Sequence, residues 1–245
     1  MHEINWQPKF VQADGVRLAY YEWGQGEPLV LLHGNGADST CFRNQIPVFS
    51  RLYRVIAVDS RGHGRSELGD EGLNFAQMAD DLYAVFQTLG LKKAHVLGFS
   101  DGGNLAICFA LQYPQCVDKL ILNGANIRML TGIKPYIQLP VYPAVGLLHL
   151  LSPLDRSIRR KYDVLSLMAH EYGVDWDDLR RIQVPTLVLV GEHDMVYDKH
   201  SWRMTLCLPH ARMVRIAGGD HFIAEKMPNQ FNLAVLRFLK GGDAW

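Results

Sequence analysis

Ser100, Asp194 and His221 are the residues of this chain whose types and settings fit nucleophilic chemistry. Ser100 lies in Gly98-Phe99-Ser100-Asp101-Gly102-Gly103, between an apolar run ending at Leu97 and a stretch, Asn104 to Tyr113, with helical apolar spacing. A serine at a sharp strand-to-helix corner takes a strained backbone that pushes its hydroxyl outward. The positions two residues away are then crowded, so Gly98 and Gly102 have a steric cause. The hydroxyl is a weak nucleophile until a histidine takes its proton and a carboxylate fixes that histidine's tautomer. Asp194 closes Gly191-Glu192-His193-Asp194 after the aliphatic run Val184 to Val190, and His221 closes Gly218-Gly219-Asp220-His221 after the alternating run Ala211 to Ala217. Both therefore stand at the carboxyl ends of expected strands. In an open parallel sheet those ends line one crevice, so the three side chains are expected to converge there.

The order Ser100, Asp194, His221 resembles that of the α/β-hydrolase superfamily, and the likeness runs from about Phe10 to Leu239. Two further segments carry it. Pro28 to Leu32 is a short apolar strand running into His33-Gly34-Asn35-Gly36, and Val55 to Val58 runs into Asp59-Ser60-Arg61-Gly62-His63-Gly64-Arg65-Ser66. The resemblance implies an α/β fold with a mostly parallel eight-stranded sheet flanked by helices and a small helical cap insertion. It also implies that the backbone N–H groups of Asn35 and Asp101 hold the oxyanion of a tetrahedral intermediate, where losing one such donor costs about 3–4 kcal/mol. Arg61, His63 and Arg65 read as scaffold. A glycine-rich phosphate loop is the rival for residues 33–36, but neither dinucleotide spacing nor a Gly-Lys-Ser ending is present.

His33 and His193 are rival bases, and Glu192, Asp198 and Asp220 rival acids; only His221 follows the last strand, and Asp194 matches the family's Gly-x-x-Asp position. A metal site built on Glu192, His193, Asp194 and His221 lacks helical His-x-x-x-His spacing, so no metal and no cofactor is expected. With 25 basic and 25 acidic residues the formal charge is zero, so no global field invites nucleic acid or an anionic membrane. Cys41, Cys108, Cys116 and Cys207 show no paired spacing, and the amino terminus lacks a basic start followed by an apolar stretch. Free thiols and a cytoplasmic location are the expectation.

The elements that must position these residues alternate along the chain. Phe75 to Leu89 carries apolar residues at Met78, Leu82, Val85, Phe86 and Leu89, a helical face, and Lys9 to Asp14 with Val16 to Trp23 reads as a hairpin around Asp14-Gly15. The rhythm breaks from 125 to 181, which divides the chain into a core (1–124 and 182–245) and a cap inserted between two strands. Tyr136 to Leu151 is apolar enough to suggest a membrane span, but Pro140, Pro143 and Pro153 interrupt it, so a cap touching substrate fits better and stable membrane association is not expected. Met129, Leu130, Tyr136 and Leu148 are candidate lining for an acyl pocket, or ordinary packing between cap and core. Asp101 has two readings. Turned into the crevice, its carboxylate would pair with an ammonium group on substrate, since Ser-Asp-Gly-Gly resembles valacyclovir-hydrolase-like esterases; turned inward, it would cap the following helix. The expected activity is hydrolysis of small carboxylic esters through an acyl-enzyme, as in a carboxylesterase. Carbon–carbon bond hydrolases, lactonases and thioesterases share the equipment, and so does a ligand sensor that retains the triad without turnover.

Overall fold

The structure, a computed structural model, describes residues 4–241. Strands β1 (Lys9–Ala13), β2 (Val16–Trp23), β3 (Glu27–Leu32), β4 (Tyr53–Val58), β5 (Ala94–Phe99), β6 (Val117–Asn123), β7 (Thr186–Gly191) and β8 (Ala211–Ile216) form one sheet in the order β1-β2-β4-β3-β5-β6-β7-β8. The first two strands make the expected hairpin. Gly15 turns it at φ +75, a conformation glycine takes without steric cost. β2 pairs antiparallel with β4, and every later pairing is parallel. The fold is thus the mostly parallel eight-stranded sheet that the resemblance implied.

Alternation along the strands splits the core into two layers. Leu29, Leu31, Val55, Ala57, Leu97, Leu187 and Leu189 face one side. They meet Phe42, Phe49 of the short α1 (Ile46–Phe49), and Phe231 and Phe238 of the carboxyl-terminal helix. Val30, Leu32, Ile56, Val58, Val96, Leu120, Leu122 and Val188 face the other side, against α2 (Phe75–Thr88) and α3 (Asp101–Gln112). Both faces of the parallel strands are apolar because both are covered. The spacing in Phe75 to Leu89 forms α2 as expected, capped by the Asn74 side chain accepting from Gln77 N–H at 2.8 Å.

Between β6 and β7 the chain forms α4 (Met129–Gly132), α5 (Pro135–Gln138), α6 (Val141–Leu151) and α7 (Arg156–Ser166). The apolar run 136–151 is broken at Pro140, whereas Pro143 falls in the first turn of α6 and does not interrupt it, and no helix among the described residues is long and apolar enough to cross a membrane. After β7 come α8 (Asp198–Cys207), β8, α9 (Ile223–Lys226) and α10 (Pro228–Leu239). The carboxyl ends of β3, β5, β6, β7 and β8 therefore lie side by side, and the loops that leave them carry Asn35, Ser100, Gly124, Asp194 and His221.

Candidate active site

Ser100 is the only non-glycine residue with positive φ among the described residues, at φ 54 and ψ −121. That conformation is disfavoured for a side-chain-bearing residue, and surrounding structure over-determines it. Its N–H donates to Asn123 O at 2.8 Å, and its own carbonyl accepts from Gly103 and Asn104 N–H. The flanking glycines answer to close approach. A Cβ on Gly98 would stand 2.1 Å from Gly102 O, and one on Gly102 would stand 2.1 Å from Leu32 O. Ser100 itself is half-buried.

His221 and Asp194 are both buried, and His221 Nδ1 lies 2.7 Å from Asp194 Oδ1. A carboxylate can only accept, so Nδ1 carries a proton, and in the neutral ring Nε2 is the nitrogen with the lone pair. The same Oδ1 accepts Val196 N–H at 3.0 Å, which orients the carboxylate. The imidazole rests on Gly124, where an added Cβ would meet Cε1 at 2.7 Å, and its ring centroid is 5.0 Å from that of Phe99. Gly124 follows Asn123, whose carbonyl holds Ser100 N–H, and Phe99 precedes Ser100. The serine and the imidazole are thus brought to one corner of the sheet by adjoining residues on both β5 and β6.

The rival groups are committed elsewhere. His193 is exposed, Glu192 accepts Gly218 N–H at 2.8 Å, Asp220 accepts Phe222 N–H at 2.9 Å, and Asp198 lies 3.3 Å from Arg215. His33 is buried with Nδ1 2.8 Å from Gly34 O and Nε2 accepting Ser60 N–H at 3.0 Å, and desolvation lowers its pKa. His63 is pushed down to about 4 by burial. Arg61 makes a buried two-bond pair with Asp81 at 2.7 and 2.6 Å, while Asp59 gathers Ser39, Tyr21 and the N–H of Arg65. These residues hold the loop after β4 in place.

Asn35 and Asp101 lie beside Ser100. A Cβ on Gly34 would come within 3.1 Å of Ser100 Cβ, so the loop after β3 passes directly against Ser100. Asp101 is the first residue of α3, and its N–H has no acceptor one helical turn back. The Asn35 N–H has no hydrogen-bond acceptor among the described residues. The Asp101 side chain follows neither sequence reading fully: buried, it accepts from Asn35 Nδ2 at 2.9 Å and from Asn104 Nδ2 at 3.1 Å. Burial raises its pKa to about 6, against the lowering pull of Asn35, His221 and Asn104.

The four candidate pocket residues are placed differently. Met129 is buried with Sδ 3.3 Å from Asn126 Nδ2, and Leu148 is half-buried. Leu130 and Tyr136 are 62% and 67% exposed, so they stand in solvent rather than lining an enclosed pocket. A cavity of about 460 Å³ instead opens between the start of α2 and α7, lined by Phe75, Tyr162, Asp163, Leu167 and Tyr172. All four cysteines are free thiols, and among the described residues no three His, Cys, Asp or Glu cluster as metal ligands. The sequence reading missed Gly124, Asn104 and Asn126. Gly124 had a signal, since it is a glycine at a strand's carboxyl end like Gly34 and Gly191. The two asparagines had none, because their partners come from separate elements.

The sequence pattern of the alpha/beta hydrolase fold matches residues 27–145. The chain is 30% identical to a putative carbamate hydrolase, RutD, of a Caulobacter species, over 89% of this chain and 92% of that protein. It is 31% identical to a 2-hydroxy-6-oxononadienedioate/2-hydroxy-6-oxononatrienedioate hydrolase of Paraburkholderia phymatum, over 91% of each. Among solved structures, Est816, described as an N-acyl homoserine lactone degrading enzyme, superposes with a TM-score of 0.78 at 26% identity, covering 94% of this chain and all of that one.

Proposed function

The chain belongs to the α/β-hydrolase superfamily, and from that premise we propose that it is a serine hydrolase cleaving small carboxylic esters through an acyl-enzyme. One observation carries the reading: Ser100 holds the chain's only positive-φ side-chain-bearing backbone among the described residues, beside a His221 already bonded to Asp194. Ser100 Oγ attacks the ester carbonyl as His221 Nε2 takes its proton, and Asp194 stabilises the imidazolium that forms. Negative charge develops on the former carbonyl oxygen, and the N–H groups of Asn35 and Asp101 receive it. His221 then protonates the leaving alcohol, and water repeats the sequence on the acyl-enzyme.

Residues 125–181 act as the cap over this crevice. Asn35 Nδ2 donates to Val164 O at 2.6 Å, which supports α7 lying against the oxyanion loop. Of the four candidate lining residues, Met129 is the one whose burial supports that role. Free thiols support a reducing compartment as its place of work.

The names of the relatives favour a second reading at the same site, hydrolysis of a carbamate or of a 2-hydroxy-6-oxo-dienoate. A panel of p-nitrophenyl esters from acetate to palmitate, with an aryl carbamate, a lactone and such a dienoate, ranks these bonds by kcat/KM. Ser100→Ala is expected to lower kcat on the preferred substrate by at least about 10⁴-fold. Undiminished turnover in Ser100→Ala overturns the mechanism, and binding without turnover in the wild type assigns a sensor instead.

A further inference from the structure

Asp101 lies at the centre of a hydrogen-bond chain that begins and ends on the main chain of the 125–181 segment. Val164 O, near the carboxyl end of α7, is an orphan carbonyl because Met168 N–H, its helical partner by position, donates to Leu165 O instead. Asn35 Nδ2 fills that vacancy at 2.6 Å and reaches Asp101 Oδ2 at 2.9 Å with its other proton. On the opposite side Asn104 Nδ2 donates to Asp101 Oδ1 at 3.1 Å, and Asn104 Oδ1 accepts Asn126 N–H at 2.9 Å. Tyr172 hydroxyl donates to Asn126 O at 2.8 Å.

The two ends fix the direction of every bond. Val164 presents a carbonyl, so Asn35 must turn its NH2 that way, and that same NH2 faces Asp101. Asn126 presents an N–H, so Asn104 must turn its oxygen that way and its NH2 towards Asp101. Flipping either amide to suit another residue at 101 would set oxygen against oxygen at Val164 or N–H against N–H at Asn126. Position 101 therefore has to offer two acceptors and no donor. Among side chains of this size only an ionised carboxylate does so.

Resting on the serine-hydrolase reading, we propose that the Asp101 carboxylate is a positioning residue. By accepting Asn35 and Asn104 together, it holds the oxyanion loop against Ser100 and draws both α7 and the start of the cap onto the nucleophile. The charge, not just the shape, is what the site requires. The titratable groups around it are His221, whose charge it feels, Tyr172, which feels the carboxylate, and His33 and His63, which line the same small cavity. Desolvation keeps the last two neutral at physiological pH. With Asp101 raised by burial to about 6, the clamp loosens within the range where activity is measured.

The test is the pH profile of kcat/KM on the best ester for wild type and Asp101→Asn, an isosteric change that places one donor against a donor. In wild type the acid limb should fall with the loss of two protonation-sensitive groups, approaching a slope of two on logarithmic axes. In Asp101→Asn one ionisation disappears and the limb returns to a slope of one. At the plateau the variant should lose about ten- to hundred-fold in kcat/KM, the span of a hydrogen bond to a charged group. A destabilised but otherwise normal site would lower the melting temperature and leave the slope alone. A wild-type acid limb with a single ionisation overturns the proposal even if the variant fails to fold, as does a variant matching wild type in slope and plateau. Ser100→Ala run alongside separates the two readings. Intact turnover there removes the hydrolase mechanism itself, whereas lost turnover there with an unaffected Asp101→Asn removes only the positioning role.

Discussion

Gly124→Ala isolates the seat of the His221 imidazole, the base of the proposed mechanism, from the chemistry of its side chain. Gly124 sits at φ +62, where a Cβ costs about 1–2 kcal/mol by crowding the following carbonyl oxygen. The new methyl would also meet His221 Cε1 at 2.7 Å and Nδ1 at 2.8 Å, while ordinary contact begins at 3.4 Å, so about 0.7 Å has to be yielded. The backbone is the stiffer party: Gly124 N–H is bonded to Leu189 O, and Asn123 beside it holds Ser100. The imidazole, turning on its side-chain torsions, gives way and shifts Nε2 from the place the proposed mechanism needs. Misplacement by about 1 Å costs roughly 100-fold in rate, so kcat should fall about ten- to hundred-fold. Gly15→Ala is the control. Gly15 has φ +75 but nothing within 4 Å of its Cβ, so it shares the backbone strain without the collision. Both variants should lose about 1–2 kcal/mol of stability, or roughly 2–8 °C of melting temperature at about 2–4 °C per kcal/mol, and only Gly124→Ala should lose kcat. Steady-state kinetics with thermal melts on both proteins decides it. Equal kcat in the two variants would refute the account of how the imidazole is seated.

Two further outcomes follow from buried charge. Asp81→Ala leaves the Arg61 guanidinium buried without its carboxylate, and urea unfolding should report a loss of about 3–5 kcal/mol, with kcat per folded molecule kept. A loss under about 1 kcal/mol would place that pair with exposed ion pairs. Stability should also rise with pH between about 4 and 6.5. His63 and His200 are lowered from 6.5 to about 4, so across that window the unfolded chain binds up to two protons that the folded one does not. Asp101, raised from 3.8 to about 6, works oppositely by one proton, and burial-raised Asp163 acts in the same opposing sense, so their share is lost as pH rises. The net of about one proton corresponds to about 1.4 kcal/mol per pH unit, and lowered His33 and His95 add in the same direction. Unfolding free energies that are flat or falling over this range would contradict the burial of these imidazoles.

The parts legible in the sequence are those whose causes are local. The corner at Ser100 announces itself because Gly98 and Gly102 are two residues away, and β7 and β8 announce themselves through an aliphatic and an alternating run, each followed by glycine. The boundaries were less legible: the aliphatic run from Val184 becomes β7 only at Thr186, since Pro185 has no N–H to give the ladder. Between β6 and β7, composition misled more than spacing did. α6 carries no Asp, Glu, Lys or Arg, yet its Leu147 and Leu150 are exposed, along with Leu154 just past its end and Leu130 and Tyr136 nearby in sequence. Apolar character alone therefore could not say which residues of this segment turn inward. Asp101 was open for a different reason. Its direction is set by Val164 and Asn126, main-chain groups 63 and 25 residues further along the chain, acting through Asn35 and Asn104. No window around Ser-Asp-Gly-Gly contains that information. The corner at Ser100 is written into its neighbours, whereas the polarity of the network around it is written only where distant backbone groups meet.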